Sequence, residues 1–227
     1  MRSIICLLVY LAAAEAWAGN PAGLLVYKVW EPGLEPYIGR ILVTPAHVRM
    51  DEGQDHGDFT LFDRELGVIR NVSVEDQSVL VMRAAGGLPE PAKKLELSEK
   101  TEMDPAAPRV AGKHPQQLWL YTNGELCRKL VTVQGVMTDA VAGLAEFRRA
   151  LAKIQFPTMP AESSLCEQSE FLYASDRSLG FGLPLRDSYA GKNQVLVDFD
   201  QQYEAAPELF QVPASYREIS MPGSSSE

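Results

Sequence analysis

A strand-rich stretch at residues 37–83 decides the fold, and it reads YIGRILVTPAHVRMDEGQDHGDFTLFDRELGVIRNVSVEDQSVLVMR. It is a series of short runs rich in Val, Ile, Phe and Leu, and a short polar turn separates each run from the next. With the run that precedes the stretch, the predicted strands are 24–30, 37–43, 47–51, 58–63, 67–74 and 78–83. Connections this short permit only antiparallel neighbours. The stretch therefore predicts a β-meander over residues 24–83.

Apolar residues alternate on both faces of these predicted strands. In the run 78–83, Val79 and Val81 point one way while Leu80 and Met82 point the other. A sheet with one solvated face would show polar residues at every second position. We therefore expect one face to cover a helix, and the other to line a cavity or to meet more protein.

A long Pro-rich and charged connection, residues 84–115, separates this meander from a second half at 116–222, with one short strand near 95–97. Asn123-Gly124 stands between two apolar runs and is a strong hairpin signal. The strands predicted for the second half are 117–121, 126–133, 170–174, 181–185 and 194–200.

The sequence predicts one long amphipathic helix, at residues 139–155. We expect Thr138 or Asp139 to be its N-cap and Pro157 to end it. Its apolar residues recur at steps of three and four, which is typical of a helix that packs on a sheet: Val141, Leu144, Phe147, Leu151 and Ile154. The predicted fold class is therefore α+β, mainly β, with a strongly curved antiparallel sheet.

The N-terminus has the pattern of an export signal. Arg2 is followed by an apolar run at residues 4–14 and by the small-x-small tripeptide Ala16-Trp17-Ala18. The run is too short for a membrane anchor, which needs about 20 apolar residues. We expect residues 1–18 to be a cleaved signal peptide, 19–222 a single domain and 223–227 a disordered tail. The expected location is the periplasm, with secretion as the alternative.

The chain has three cysteines, and Cys6 would leave with the signal peptide. An even pair in an exported protein is typical of a structural disulfide, here between Cys127 and Cys166. A redox-active or metal-binding pair is the alternative.

The formal net charge is −9 at pH 7, which argues against binding to nucleic acid or to an anionic membrane surface. We expect no membrane span and no cofactor. A Gly-x-Ser-x-Gly nucleophile turn is not found, and we expect no enzyme.

The acidic turn 51–58 is the segment richest in potential metal ligands, and a hard cation could be bound there by Asp51, Asp55, His56 and Asp58. The alternative is a solvated turn between two strands, with glycines that supply its geometry. His47, Arg49 and Asp51 share one strand face and suggest a ladder of ion pairs.

Seven aromatic residues on predicted strands could line a cavity for an apolar ligand, and an ordinary packed core is the alternative. They are Tyr27, Trp30, Tyr37, Phe59, Phe62, Trp119 and Tyr121.

Several short motifs together resemble a known family. They are Arg40-Ile41-Leu42-Val43, Val48-Arg49-Met50-Asp51, Phe62-Asp63-Arg64, Gly182-Leu183-Pro184-Leu185 and the closing Leu209-Phe210 with Pro213 and Tyr216. With the long helix, they are similar to uncharacterised proteobacterial periplasmic proteins and to the LolA-like superfamily, which includes LolA, LppX and RseB.

The resemblance implies an unclosed half-barrel around helical segments, with an apolar inner face. It implies a non-catalytic protein that binds a hydrophobic ligand, namely a lipid, an acyl chain or a lipoprotein. The alternative partner is an envelope protein, in an interaction or stress-sensing module that resembles RseB.

Overall fold

Twelve strands form one mixed, unclosed sheet in the computed structural model, which describes residues 20–84, 86–103, 105–160 and 162–220. The predicted signal peptide 1–18 and the predicted tail 223–227 lie outside the described residues. The fold is α+β and mainly β, as the sequence predicted.

The first six strands pair with their sequence neighbours in antiparallel order, which confirms the predicted meander. The connections between these strands are only three to seven residues long, so pairing between sequence neighbours builds this half of the sheet. The strands are β1 Asn20–Trp30, β2 Tyr37–Val43, β3 His47–Asp51, β4 Phe59–Asp63, β5 Val68–Ser73 and β6 Ser78–Met82.

The second half adds six strands and joins the first mainly through β1 and β11, which pair antiparallel along most of their length. The strand order is β12-β6-β5-β4-β3-β2-β1-β11-β10-β9-β8-β7. Because β12 lies parallel to β6, the sheet is mixed, whereas a purely antiparallel sheet was predicted. The strands are β7 Leu97–Met103, β8 Gln116–Thr122, β9 Glu125–Val133, β10 Leu183–Tyr189, β11 Lys192–Ala205 and β12 Arg217–Ser220.

The hairpin between β8 and β9 turns at Asn123-Gly124, as predicted. Both residues have positive φ, 50° for Asn123 and 82° for Gly124. Two successive positive φ angles define the turn that matches the twist of the flanking strands, and Asn-Gly is its preferred sequence.

The long helix α1, Thr138–Gln155, confirms the predicted helix and continues into a single 3₁₀ turn at Phe156–Thr158. The predicted N-cap is wrong, because Met137 takes that position in a left-handed conformation with no side-chain cap. Asp139 lies in the first turn instead, where its negative charge interacts favourably with the positive end of the helix dipole.

The strand predicted at 170–174 is wrong. A short helix, α2 at Leu165–Gln168, begins with a capping box between Ser164 and Glu167 and continues into a π-helical turn at Ser169–Tyr173. Apolar residues in a short run do not distinguish a strand from a helical turn, so the local signal was ambiguous.

The strand predicted at 181–185 begins two residues later, as β10 at Leu183. A 3₁₀ segment at Arg177–Phe181 comes first, and Gly182 joins the two with φ of 103°. A Cβ at Gly182 would lie 2.3 Å from the Val133 carbonyl oxygen, so this close backbone approach requires glycine.

Both faces of the first half of the sheet are buried, as the alternation predicted. On one side, the helix face, α1 packs its apolar stripe against residues that include Val48, Phe62 and Met82. On the other side, the outer face, the chain after β11 covers two clusters. Val79 and Val81 pack with Val212 and Tyr216, and Leu42 and Leu61 pack with Leu209 and Phe210.

Cys127 of β9 and Cys166 of α2 form a disulfide, as predicted, across a sequence separation of 39. A crosslink over that separation stabilises the fold by about 4 kcal/mol in the chain-entropy treatment. It also attaches the α2 segment to the sheet.

Candidate functional site

A groove lies on the helix face of the sheet, and its lining continues from an open part to an inner part beneath α1. The open part has a volume of about 560 Å³ and the inner part about 270 Å³. Both parts are lined by Tyr27, Ile41, Met50, Lys192 and Gln194. Ligand sites in proteins typically measure roughly 300–1,000 Å³, so the groove has the size of a small-molecule site.

The open part is mostly apolar on its floor, because the strands place Val29, Ile41, Met50 and Leu80 there. Gly39 of β2 also faces it and leaves space where another residue would carry a side chain. Backbone pairing sets this arrangement, since Gly39 stands opposite Tyr27 in the ladder.

A polar group borders the open part. Lys192 pairs with Glu31, and the Tyr37 hydroxyl donates to the same carboxylate at 2.7 Å. The hydrogen bond from Lys192 lowers the pKa of Glu31. Burial disfavours the charged form of Lys192, but its hydrogen bond to Glu31, together with the electrostatic attraction of Tyr189, Tyr37 and Glu31, outweighs burial and raises the pKa of Lys192. Both groups are therefore charged at neutral pH.

The inner part ends at a buried ion cluster on β9 and β10. Arg128 donates from Nε to Asp187 at 2.8 Å and from a terminal nitrogen to Glu170 at 2.7 Å. Its guanidinium also lies 4.1 Å from the centre of the Tyr189 ring. The side chain of Asp187 is fully buried, and those of Arg128 and Glu170 are 2 % and 8 % exposed.

Burial opposes the charge on Arg128, but the hydrogen bonds and the negative charges of Asp187 and Glu170 together outweigh burial and raise the pKa of Arg128. Removing one partner would leave an uncompensated buried charge, which typically costs about 3–5 kcal/mol. The cluster is thus a fixed wall of the groove, and both carboxylates are already bound by one guanidinium.

A second arginine enters the inner part from α1. Arg148 donates to the Ser178 hydroxyl at 2.9 Å, and within the described residues no carboxylate lies within 4.0 Å of its guanidinium. Burial, and then repulsion by Arg128, lower the pKa of Arg148. Because a guanidinium has five N–H donors and that of Arg148 makes one hydrogen bond among the described residues, most of these donors are available to a bound molecule.

Tyr27 lies where the two parts of the groove meet. Its hydroxyl donates to the Pro184 carbonyl oxygen at 2.9 Å and its side chain is buried. Burial, and then the charge of Asp187, raise the pKa of Tyr27, so the phenol stays neutral.

Three of the seven predicted aromatic residues contribute to the lining: Tyr27, Tyr37 and Phe59. Phe59 also lies beneath the Arg49 guanidinium, 3.8 Å from the ring centre, and packs with the outer-face clusters. Its ring is therefore largely a structural contact.

The other four do not line the groove. Phe62 packs edge-on against Phe147 of α1, so it belongs to the core. Trp30 and Trp119 each lie beside a lysine. Tyr121 is absent from the lining of both parts. Phe62 therefore has the packed-core environment that was the alternative, and the other three lie outside the lining of both parts.

The acidic turn does not assemble a metal site among the described residues, where no group of three His, Cys, Asp or Glu side chains could hold an ion. Asp51 already accepts hydrogen bonds from Arg40 at 2.8 Å and from Arg49 at 2.6 Å, and Arg40 also pairs with Asp55.

The other two predicted ligands, Asp58 and His56, do not join Asp51 and Asp55 in a metal site either. Asp58 accepts from the Val74 amide at 2.7 Å, and His56 is exposed. The connection between β3 and β4 is a turn in which Gly53 has a φ of 82°.

The sequence did not identify the arginines of the groove, although one signal was present. Arg148 lies four residues after Leu144 and three before Leu151, so it stands on the apolar stripe of the predicted helix. A cation on that stripe indicates either a buried ion pair or a ligand contact. Its partners come from residues far along the chain, which no local pattern reveals.

A larger recess of about 710 Å³ lies between residues 106–117 and strands β9, β10 and β11. Its charged lining residues, Arg186 and Asp198, are exposed, and Val197 within it is 53 % exposed. The groove is the stronger candidate because buried charges, an available arginine and apolar strand residues converge there.

Comparison with models of known protein families gives no match, and comparison with curated proteins gives none either. Over the described residues, no helix is both long enough and apolar enough to cross a membrane.

Proposed function

We propose that the chain is an exported, non-catalytic binding protein with a LolA-like half-barrel, and that its groove holds the apolar part of a lipid, an acyl chain or a lipoprotein. The observation that carries the proposal is the groove itself, about 560 Å³ in its open part and continued beneath α1. Burial of apolar ligand surface there contributes roughly 25 cal/mol per Å², less the cost of association.

The disulfide supports the export half of the proposal. Structural disulfides persist in oxidising compartments and are rare in the cytosol. The Cys127–Cys166 bond fits a protein that folds after export, and the N-terminal pattern of the sequence agrees with it.

A leucine at Gly39 tests the proposal, because it would fill the open part. Gly39 has an ordinary strand conformation, and a Cβ there would meet only Val29, at 3.6 Å. We expect Gly39→Leu to fold normally and to bind the neutral apolar dye Nile red at least tenfold more weakly than the wild type. Organic extracts of wild-type protein, analysed by mass spectrometry, should contain a lipid that is depleted in the variant.

Gly87→Leu is the matched control. Gly87 lies in the connection before β7, and a Cβ there would have no atom within 4 Å, so the same substitution leaves the groove open. Equal dye affinity of the two variants, or a wild type that binds no dye and carries no lipid, would refute the proposal.

A further inference from the structure

We infer that the groove binds a single acyl chain that ends in a carboxylate, and that Arg148 binds this carboxylate in the inner part. The inference rests on the proposed function and specifies the chemical class of its ligand.

The two parts of the groove differ in chemistry along one continuous lining. The open part presents Val29, Ile41, Met50 and Leu80, which suit a hydrocarbon chain. The inner part presents guanidinium groups, and it is reached past Tyr27 at the junction. An amphipathic ligand with an apolar body and an anionic end matches this order.

Arg148 is the cation of the inner part that is available to bind the anion. Arg128 directs its guanidinium to Asp187 and Glu170. Lys192 pairs with Glu31. The Arg148 guanidinium makes one hydrogen bond, to the Ser178 hydroxyl, among the described residues. A guanidinium presents five N–H donors in a planar fork, so a carboxylate can be bound by two parallel hydrogen bonds.

The size of the inner part favours a carboxylate over a larger head group. Its volume of about 270 Å³ lies just below the usual range for whole ligand sites. Phe147 and Leu151 of α1 and Phe171 of the π-helical turn enclose it. A compact planar anion fits this space, whereas a substituted phosphate would need more room and more donors.

The experiment compares palmitate with its neutral methyl ester, by displacement of Nile red from the wild type and three variants. Wild-type protein should bind palmitate about tenfold or more tightly than methyl palmitate, because a hydrogen-bonded charge pair is lost in the ester. Arg148→Gln should remove this preference by weakening palmitate binding alone, and Arg148→Lys should retain part of it.

Arg149→Gln is the matched control. It removes the same charge from the adjacent position of α1, but Arg149 is half exposed and pairs with Asp176 outside the groove. We expect it to leave both affinities unchanged. Thermal unfolding of each variant, followed by circular dichroism, checks that the fold is retained.

The outcomes separate the two proposals. If the wild type binds the ester as tightly as the acid, or if Arg148→Gln and Arg149→Gln behave alike, the inference fails while the proposed function stands. If the wild type prefers a single-chain phosphate, lysophosphatidic acid, to palmitate, the carboxylate assignment is wrong. If none of the three ligands displaces the dye, both the inference and the acyl-chain function fail.

Discussion

At the scale of single residues, buried arginines organise the polar interior of this protein. Arg49 is 1 % exposed, and it donates to Asp51 and, at 2.7 Å, to the Leu209 carbonyl oxygen. The strand face shared by Arg49 and Asp51 predicted their ion pair. Leu209 could not be predicted as a partner, because it lies 160 residues further along the chain and only the folded chain brings it to β3.

Asp51 makes stability depend on pH in a defined direction. Burial alone would raise the pKa of Asp51, but hydrogen bonds from Arg40, Arg49 and the Gly53 amide outweigh burial and lower that pKa. The unfolded chain keeps a pKa of about 3.9 for this residue. The charged form therefore stabilises the fold above about pH 4, and this contribution is lost as pH falls through the lower pKa of the folded state.

We predict that Asp51→Asn destabilises the protein at pH 7 by about 1.5–3 kcal/mol, the value of a hydrogen bond to a charged group. The difference in free energy of unfolding between wild type and variant should shrink as pH falls from 5 to 3. Urea unfolding at a series of pH values measures it. Glu65→Gln, at an exposed position, is the control and should follow the wild type. A difference that stays constant down to pH 3 would contradict the assigned direction.

At the scale of elements, α1 could be predicted because its apolar stripe is a local pattern, whereas its approach to the sheet depends on one small residue. Gly143 faces Val43 and Val48, and a Cβ there would lie 2.8 Å and 3.1 Å from their methyl carbons. Valine is branched at Cβ and has little rotamer freedom, so these contacts do not yield easily. A glycine in the middle of a predicted helix indicates a close contact or a bend, but it does not indicate which residues it contacts. Those residues are determined by the tertiary fold.

We predict that Gly143→Ala destabilises the protein, although alanine is the better helix former by about 1 kcal/mol. Overpacking typically costs about 1–3 kcal/mol, so the net loss should reach up to about 2 kcal/mol in urea unfolding. Val43→Ala removes the nearer methyl carbon and serves as the second arm of a double-mutant cycle. The two substitutions together should be less destabilising than the sum of their separate effects, by at least about 0.5 kcal/mol. Simple additivity would mean that Gly143 does not set this approach.

At the scale of the whole molecule, two halves of the chain share one sheet, which joins them at its centre through β1 and β11 and at one edge through β6 and β12. Most strands could be predicted because each carries a local pattern, but the central pairing of β1 with β11 could not. Strand β12 was not predicted either, because its four residues are exposed and pair in parallel with β6. Parallel pairing between distant segments leaves no alternation or turn signal nearby. The groove was unpredictable for the same reason, since its lining joins the first meander to β11 and to α1.

This architecture makes the connection before β7 dispensable for holding the halves together. Arg83, Lys93 and Lys94 are exposed there, and the described residues 86–93 contain no strand or helix. Proteases cut where the backbone can leave its hydrogen bonds at little cost. We predict that brief trypsin treatment cuts first at one of these three sites, and that the two fragments stay together as one species on a size-exclusion column without denaturant. They should separate in urea, because Cys127 and Cys166 both lie in the second fragment and no disulfide joins the two.

Lys153 provides an internal control for that cleavage. It is also exposed, but it lies within α1, so it should remain uncut while the connection is cleaved. Replacing all three residues, as Arg83→Gln, Lys93→Gln and Lys94→Gln, should abolish the first cut without changing the elution of the intact chain. Fragments that separate without denaturant would show that the contacts between the halves, among them the pairing of β1 with β11, of β6 with β12 and the packing of α1, are too weak to hold them together. If the fragments stay together, the nicked protein should also retain dye binding. The groove is lined by strands on both sides of the β1–β11 pairing, and neither β7 nor the cut connection contributes to its lining.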